Sequence, residues 1–275
     1  MTKPLSLMIT CDDGGLSRGI DDAVLALYKE GMVSAVSMMT NMPGATTSLD
    51  RFSAYPDLEI GVHLNLTEGN PLTTEIQQSG LVDKGRFSGR LTCFMQGLFL
   101  TNTLQTQIYD EFNAQMQVFI NKNRHPAHIT THHHFHILPG YRRIVYALAR
   151  EYHVHWVRNS QLSGASIPGN PFIQHNNKSD QPEFFEPDYV VLIQEWLKQP
   201  PEVLLRELYR FNGVIELVIH PCTEVDEQFP DSVMYKPQER YREIEFLKAL
   251  WKQANDQIAV TGATKSHRPG QTHEQ

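Results

Sequence analysis

LSLMITCDDGGLSRGIDDAVLALYKEGMVSAVSMMT, residues 5–40, decides the fold. It opens on a short apolar run, residues 5–10, that reads as a buried strand. The run stops at Cys11-Asp12-Asp13, followed by glycines and a Ser. Ile20, Val24, Leu27 and Tyr28 then recur at helical spacing, and Gly31 ends that helix. Residues 32–40 are a second strand, rich in β-branched and sulfur side chains. Residues 46–55 read as a short helix, and LEIGVHLNLT (58–67) as a third strand. Strand, helix, strand, helix, strand is the pattern of a parallel α/β architecture.

The same pattern continues outward. Residues 68–100 are loop-rich. Ile108, Phe112, Met116 and Phe119 mark a long amphipathic helix over 104–121. AHITTHHHFHIL (127–138) reads as a strand with its exit loop, 141–152 as a helix and HVHWVRN (153–159) as a strand. Residues 160–187 are dense in Gly, Pro, Asn and Ser, and read as a long insertion that serves as a lid. Residues 189–196 and 203–209 are expected to be helical. VIELVIH (214–220) is expected to be a strand, 241–254 a helix and 258–261 a last strand. One domain over 1–261, with a polar and disordered tail over 262–275, follows.

Composition narrows the function. The 275 residues carry a formal net charge of −7, without the basic face of a nucleic-acid binder. Three scattered cysteines, Cys11, Cys93 and Cys222, make no disulfide framework. No apolar run reaches the length of a membrane span, and the N-terminus lacks a secretory pattern, so a cytoplasmic protein is expected.

Polar residues gather where strands end: Asp12 and Asp13, then His63-Leu64-Asn65, then the cluster His132, His133, His134 and His136, then His220. In parallel α/β barrels the carboxyl ends of the strands share one face, where active sites lie. A mixed Asp/His set there suits a divalent metal. One carboxylate binds the ion while its neighbour acts as general base on a water whose pKa the metal lowers, and a histidine opposite serves as general acid. That is equipment for hydrolysing an amide or ester without a nucleophilic side chain. Each feature also has a plain structural reading: paired Asp as helix cap, His63 as a core histidine, His220 as a cap. The cluster is the exception, because several buried imidazoles need several partners. Strand alternation would place His132, His134 and His136 on one face and His133 on the other. At about 3.3 Å per residue, His132 and His136 would stand about 13 Å apart, so one ligand is expected from this stretch.

Four motifs in order, ITCDDGGLS, GVHLNLTEGNPL, PAHITTHHHFHILP and ELVIHP, resemble those of the YdjC-like carbohydrate deacetylases. The resemblance spans roughly residues 5–260. It implies a modified TIM-like (β/α) barrel that removes acetyl groups from N-acetylated carbohydrates such as chitooligosaccharides. It implies a divalent metal, usually magnesium, with zinc or manganese as alternatives, and family habit points to a homodimer. By motif position Asp13, His63 and His132 match the metal ligands, Asp12 the general base and His220 the general acid. His134, His136 and Asn65 fall in second-shell or substrate-binding positions. Gly14 stands where the family usually has an aromatic, Thr130 where an Asp is common, and Cys222 where a Gly usually follows Pro221. A deacetylase of another acylated or lipid-linked sugar, and a metal- or sugar-binding homologue without turnover, are the alternative readings.

Overall fold

β1 (Leu5–Gly14) carries its apolar residues Leu7, Met8, Ile9 and Cys11 into the interior, where all four are buried. The chain then turns into α1 (Arg18–Lys29), whose N-terminus is capped by the Ser17 side chain accepting from the Ile20 N–H. The expected face of α1, Ile20, Val24 and Leu27, packs into the core. β2 (Ala35–Met38), α2 (Ala45–Phe52) and β3 (Glu59–Leu64) follow in the expected order. A computed structural model of the chain describes residues 5–158, 184–211, 213–224, 236–254 and 258–262, and the backbone of 166–167 and 170–175. The lid over 160–187 and the tail lie largely outside the described residues.

The loop-rich stretch after β3 holds a small hairpin, β4 (Val82–Asp83) with β5 (Arg86–Phe87), and then α3 (Arg90–Leu98). α4 (Asn102–Ile120) is the long amphipathic helix, capped by Thr101 accepting from the Leu104 N–H. β6 (Ile129–Thr131) leads to α5 (Pro139–Glu151), which begins at a proline, as first turns tolerate. β7 (Ser166–Ile167), β8 (Asn170–His175), β9 (Tyr189–Leu192), α6 (Pro201–Leu208), β10 (Ile215–Ile219), α7 (Pro237–Ala254) and β11 (Ile258–Val260) complete the described elements.

The main sheet runs β6-β3-β2-β1-β10-β9-β8-β7, with β11 joining the start of β1 beside β2. β6 through β9 are parallel, and β8 and β7 add antiparallel strands. Beyond β6, parallel bridges from Ile129 to Val157 and from Trp156 to Phe185 continue the curl. The result is a curled parallel sheet with helices, an α/β fold of TIM-like type. No described helix is long and apolar enough to cross a membrane.

Three local expectations are corrected. Residues 189–192 are strand rather than helix, because Val190 and Val191 pair with Glu216 and Leu217 of β10; only Ile193–Trp196 makes a short 3₁₀ turn. Among the described residues of HVHWVRN, only Trp156 and Val157 make sheet bridges. The histidine cluster is not strand: His132–Ile137 coils tightly, with His133 at φ 56° and His134 at φ 54°.

Candidate active site

Parallel register brings the polar strand ends to one edge. Cys11 lies opposite both Val36 and Ile219, and His63 lies opposite Thr130. Between Cys11 and Gly14 the register with β2 slips, and Asp13 adopts φ 69°. A bulge with one residue in the left-handed region, which Asp tolerates, lets two adjacent carboxylates serve one site. Asp12 and Asp13 are both buried.

Asp13 is the hub. Its Oδ2 accepts from Arg240 Nη2 at 2.6 Å. Its Oδ1 lies 3.0 Å from His132 Nδ1 and 3.4 Å from His63 Nε2, and those two nitrogens are 3.3 Å apart. Oδ1 finds no aligned hydrogen-bond donor among the described residues. Burial alone would raise the Asp13 pKa, but the Arg240 charge and then His132 hold it well below the usual carboxylate range. Burial keeps His63 low as well, against the pull of Asp12 and Asp13. His63 Nδ1 sits 2.6 Å from Thr130 Oγ1, and that hydroxyl donates to the Val62 carbonyl at 3.3 Å. The hydroxyl therefore accepts from Nδ1–H, which leaves the Nε2 lone pair facing Asp13. An ionised carboxylate and two imidazoles converging in a buried site are a donor set that could hold a divalent cation.

Asp12 is gripped from the other side. Arg158 Nη1 and Nη2 donate to its two oxygens at 2.5 and 2.9 Å, and the same guanidinium also reaches Glu216. Burial would push the Asp12 carboxyl up, yet Arg158 outweighs it and keeps the group ionised. His220 receives its partner from α7: the Glu243 carboxylate accepts from the His220 backbone N–H at 2.7 Å and lies 3.5 Å from Nδ1. Burial lowers the His220 pKa, but Glu243 more than reverses this and raises it. A small pocket opens here, lined by Asp12, His63, Arg90, His132, His133, His134 and His220.

A family model described as YdjC-like protein matches residues 6–253. The chain belongs to the YdjC-like family. Among curated relatives, the carbohydrate deacetylase of Halalkalibacterium halodurans is 28% identical over 247 residues, 90% of this chain and 96% of that protein. The carbohydrate deacetylase of Vibrio vulnificus is 31% identical over 160 residues, 58% of this chain and 61% of that protein. Among solved structures, a candidate cellobiose-phosphate cleavage protein of Enterococcus faecalis superposes with a TM-score of 0.74 at 24% identity. That match covers 94% of this chain and 97% of the other, and shows a shared fold.

Against the usual YdjC-like motifs, two departures have local explanations. A Cβ at Gly14 would come within 2.7 Å of Val36 Cγ2 and 3.3 Å of Phe52, so an aromatic cannot sit there without moving the β2 and α2 packing. Thr130 accepts from His63 Nδ1–H through its hydroxyl. Cys222 Sγ donates to the Glu224 carbonyl.

The remaining expected residues divide. His134 lines the pocket, and burial, with Arg158, pushes its pKa down to about 3. His136 lies outside the pocket lining, with Nδ1 2.5 Å from Thr131 Oγ1. Asn65 is also outside it: its side chain accepts from the Thr67 and Glu68 N–H groups and donates to the Glu68 carbonyl and Asn41, which fastens the loop after β3. His133, expected to point away, lines the pocket with its ring 4.0 Å from that of His132, because the left-handed turn cancels strand alternation. Arg158, Glu216, Arg240 and Glu243 went unread in the sequence. Their signal was charge in apolar company: Glu216 within IELVI, and Arg240 and Glu243 on the face of α7 that carries Leu247 and Leu250.

Proposed function

We propose that this chain is a divalent-cation-dependent hydrolase that removes acetyl groups from N-acetylated carbohydrates of the chitooligosaccharide kind. The observation that carries the reading is the meeting of Asp13, His63 and His132 beside an independently anchored Asp12. Curated relatives named carbohydrate deacetylases supply the substrate class.

Asp13, His63 and His132 would hold the ion. Of the metals expected from family habit, a set of two imidazoles and one carboxylate fits zinc better than magnesium, which prefers oxygen ligands. Bound there, such an ion would supply Lewis-acid polarisation of an acyl oxygen and a more acidic water. The protein's own groups do the rest. Arg158 holds Asp12 ionised, so its carboxylate accepts a proton from the water that attacks the acetyl carbonyl carbon. His220, whose protonated form Glu243 favours, gives a proton to the sugar nitrogen as the C–N bond breaks. Acetate and the free amino sugar leave. His133 and His134, both pressed towards the neutral form by burial, line the pocket without adding charge.

Acetate release from diacetylchitobiose and a panel of N-acetyl sugars, with and without EDTA, tests the reading. An Asp12→Asn variant as active as the parent chain would remove the general-base assignment. One observation favours a second substrate, a lipid-linked acetylated sugar. α3 begins at the pocket-lining Arg90 and exposes Leu91 (75%) and Met95, and the exposed Phe99 (76%) follows its end. Faster turnover of a lipid-linked sugar than of the free disaccharide would select it.

A further inference from the structure

A second set of donors meets next to the first. Glu68, His132 and His133 bring one ligand atom each within 4.8 Å of one another, the same closeness found for Asp13, His63 and His132. His132 belongs to both sets. Its Nδ1 faces Asp13 and His63, whereas its Nε2 is buried and has no hydrogen-bond partner among the described residues.

Two features build this outer set. The loop bearing Glu68 is fixed: the Glu68 N–H donates to Asn65 Oδ1 at 3.1 Å, and its carbonyl accepts from Asn41 and Asn65 at 2.8 Å each. α4 braces the same loop. Gln115 bonds both the N–H and the carbonyl of Asn65, and the buried Glu111 accepts from the N–H groups of Leu72 and Thr73. On the other side, His133 and His134 occupy the left-handed region, a sparsely populated conformation that gathers at functional sites. Its effect here is to fold the His133 ring back beside His132.

We propose that Glu68, His132 through Nε2 and His133 form a second divalent-cation seat at the pocket, of zinc-binding character. Two imidazoles and a carboxylate are a zinc-type donor set. A neutral imidazole has one lone pair on its ring nitrogens, so His132 serves one seat at a time. With the inner seat empty, Nδ1–H donates to His63 and Nε2 is ready for the outer ion; with the inner seat filled, the roles reverse. An ion in the outer seat therefore withdraws a ligand from the inner one, which makes the outer seat inhibitory. The outer donors stand without the catalytic reading; only the competition rests on it.

The test uses the full chain stripped of metal and titrated calorimetrically with Zn²⁺. His63→Ala breaks the inner set. It is expected still to take up one equivalent, and adding His133→Asn or Glu68→Gln is expected to weaken that uptake at least tenfold. Uptake that is absent, or indifferent to both additions, overturns the proposal. Should His63→Ala fail to fold, ring ¹⁵N spectra of His63→Gln, which also removes the inner imidazole, decide instead. Zn²⁺ shifting the His133 ring nitrogens supports the seat; an unmoved His133 ring overturns it. A deacetylase assay enters neither arm, so failure of the proposed function and failure of the second seat remain separate results.

Discussion

The hydroxyl of Thr130 lies 2.6 Å from Nδ1 of His63 and donates its O–H to the Val62 carbonyl. A threonine thus fixes the tautomer of a histidine that faces Asp13. Groups that orient a ligand in this way typically contribute a factor of about 10 to 100 in metal affinity. Thr130→Val, which keeps shape and loses the acceptor, is expected to weaken Zn²⁺ or Mn²⁺ binding by about that factor. Thr130→Ser is expected to retain most of it. Calorimetric titration of the three proteins checks this, and equal affinities would show that His63 needs no such partner.

The Asp12–Arg158–Glu216 group is wholly buried, with one guanidinium between two carboxylates. Removing one member of such a group strands a charge and costs about 3–5 kcal/mol. Arg158→Met is therefore expected to lower the denaturant midpoint sharply, since it strands two carboxylates. Asp12→Asn keeps an oxygen for Arg158 and is expected to lose much less stability while losing most of its turnover. A variant pair with the reverse pattern would make Asp12 structural rather than catalytic.

These two networks mark how far the sequence could be read. Asp13, His63, His132 and His220 were legible because each interrupts an apolar run at a strand end, and parallel topology gathers such ends. Their partners were not. Arg240 and Glu243 share a face with Leu247 and Leu250, but α7 carries several other charges, and the burial of that face is what separates the inward pair from them. Arg158 lies beyond a segment with only bridge-level sheet pairing. The histidine cluster was misread locally because alternation assumes a strand, and the positive φ angles of His133 and His134 leave no trace in residue type. Tyr189–Leu192 was misread because its pairing with β10 is non-local.

His220 gives a pH prediction. Its pKa in the folded protein is raised above 6.5, burial being outweighed by Glu243. As a general acid it works in the protonated form, so kcat/KM is expected to fall as pH rises through that raised value. Glu243→Gln removes the charge that holds the proton, and the basic limb is expected to move to lower pH. Asp12, held far below the usual carboxylate range, contributes no acid limb near neutrality. A basic limb that stays in place in Glu243→Gln would assign the acid to another group.

His128 supplies a prediction about stability rather than catalysis. It is fully buried, with its ring 4.8 Å from that of Trp156 and Nε2 3.0 Å from Ser37 Oγ. Gly61 leaves room for it: a Cβ there would stand 2.2 Å from the imidazole. Burial, with Arg158 adding to it, pushes the His128 pKa from 6.5 down to about 3. Between those values the unfolded chain binds a proton that the folded chain refuses, so stability rises with pH across this window and falls on acidification. One such group changes the unfolding free energy by about 1.4 kcal/mol per pH unit inside the window. His63, His134 and His136, all shifted downward, act in the same direction, so the parent chain is expected to be acid-sensitive below about pH 6. His128→Gln keeps a polar partner for Ser37 and cannot titrate. The difference between its urea midpoints and those of the parent, followed from pH 6.5 to 4.5, is expected to narrow as pH falls. A constant difference would mean that His128 is already protonated, or solvated, in the folded protein.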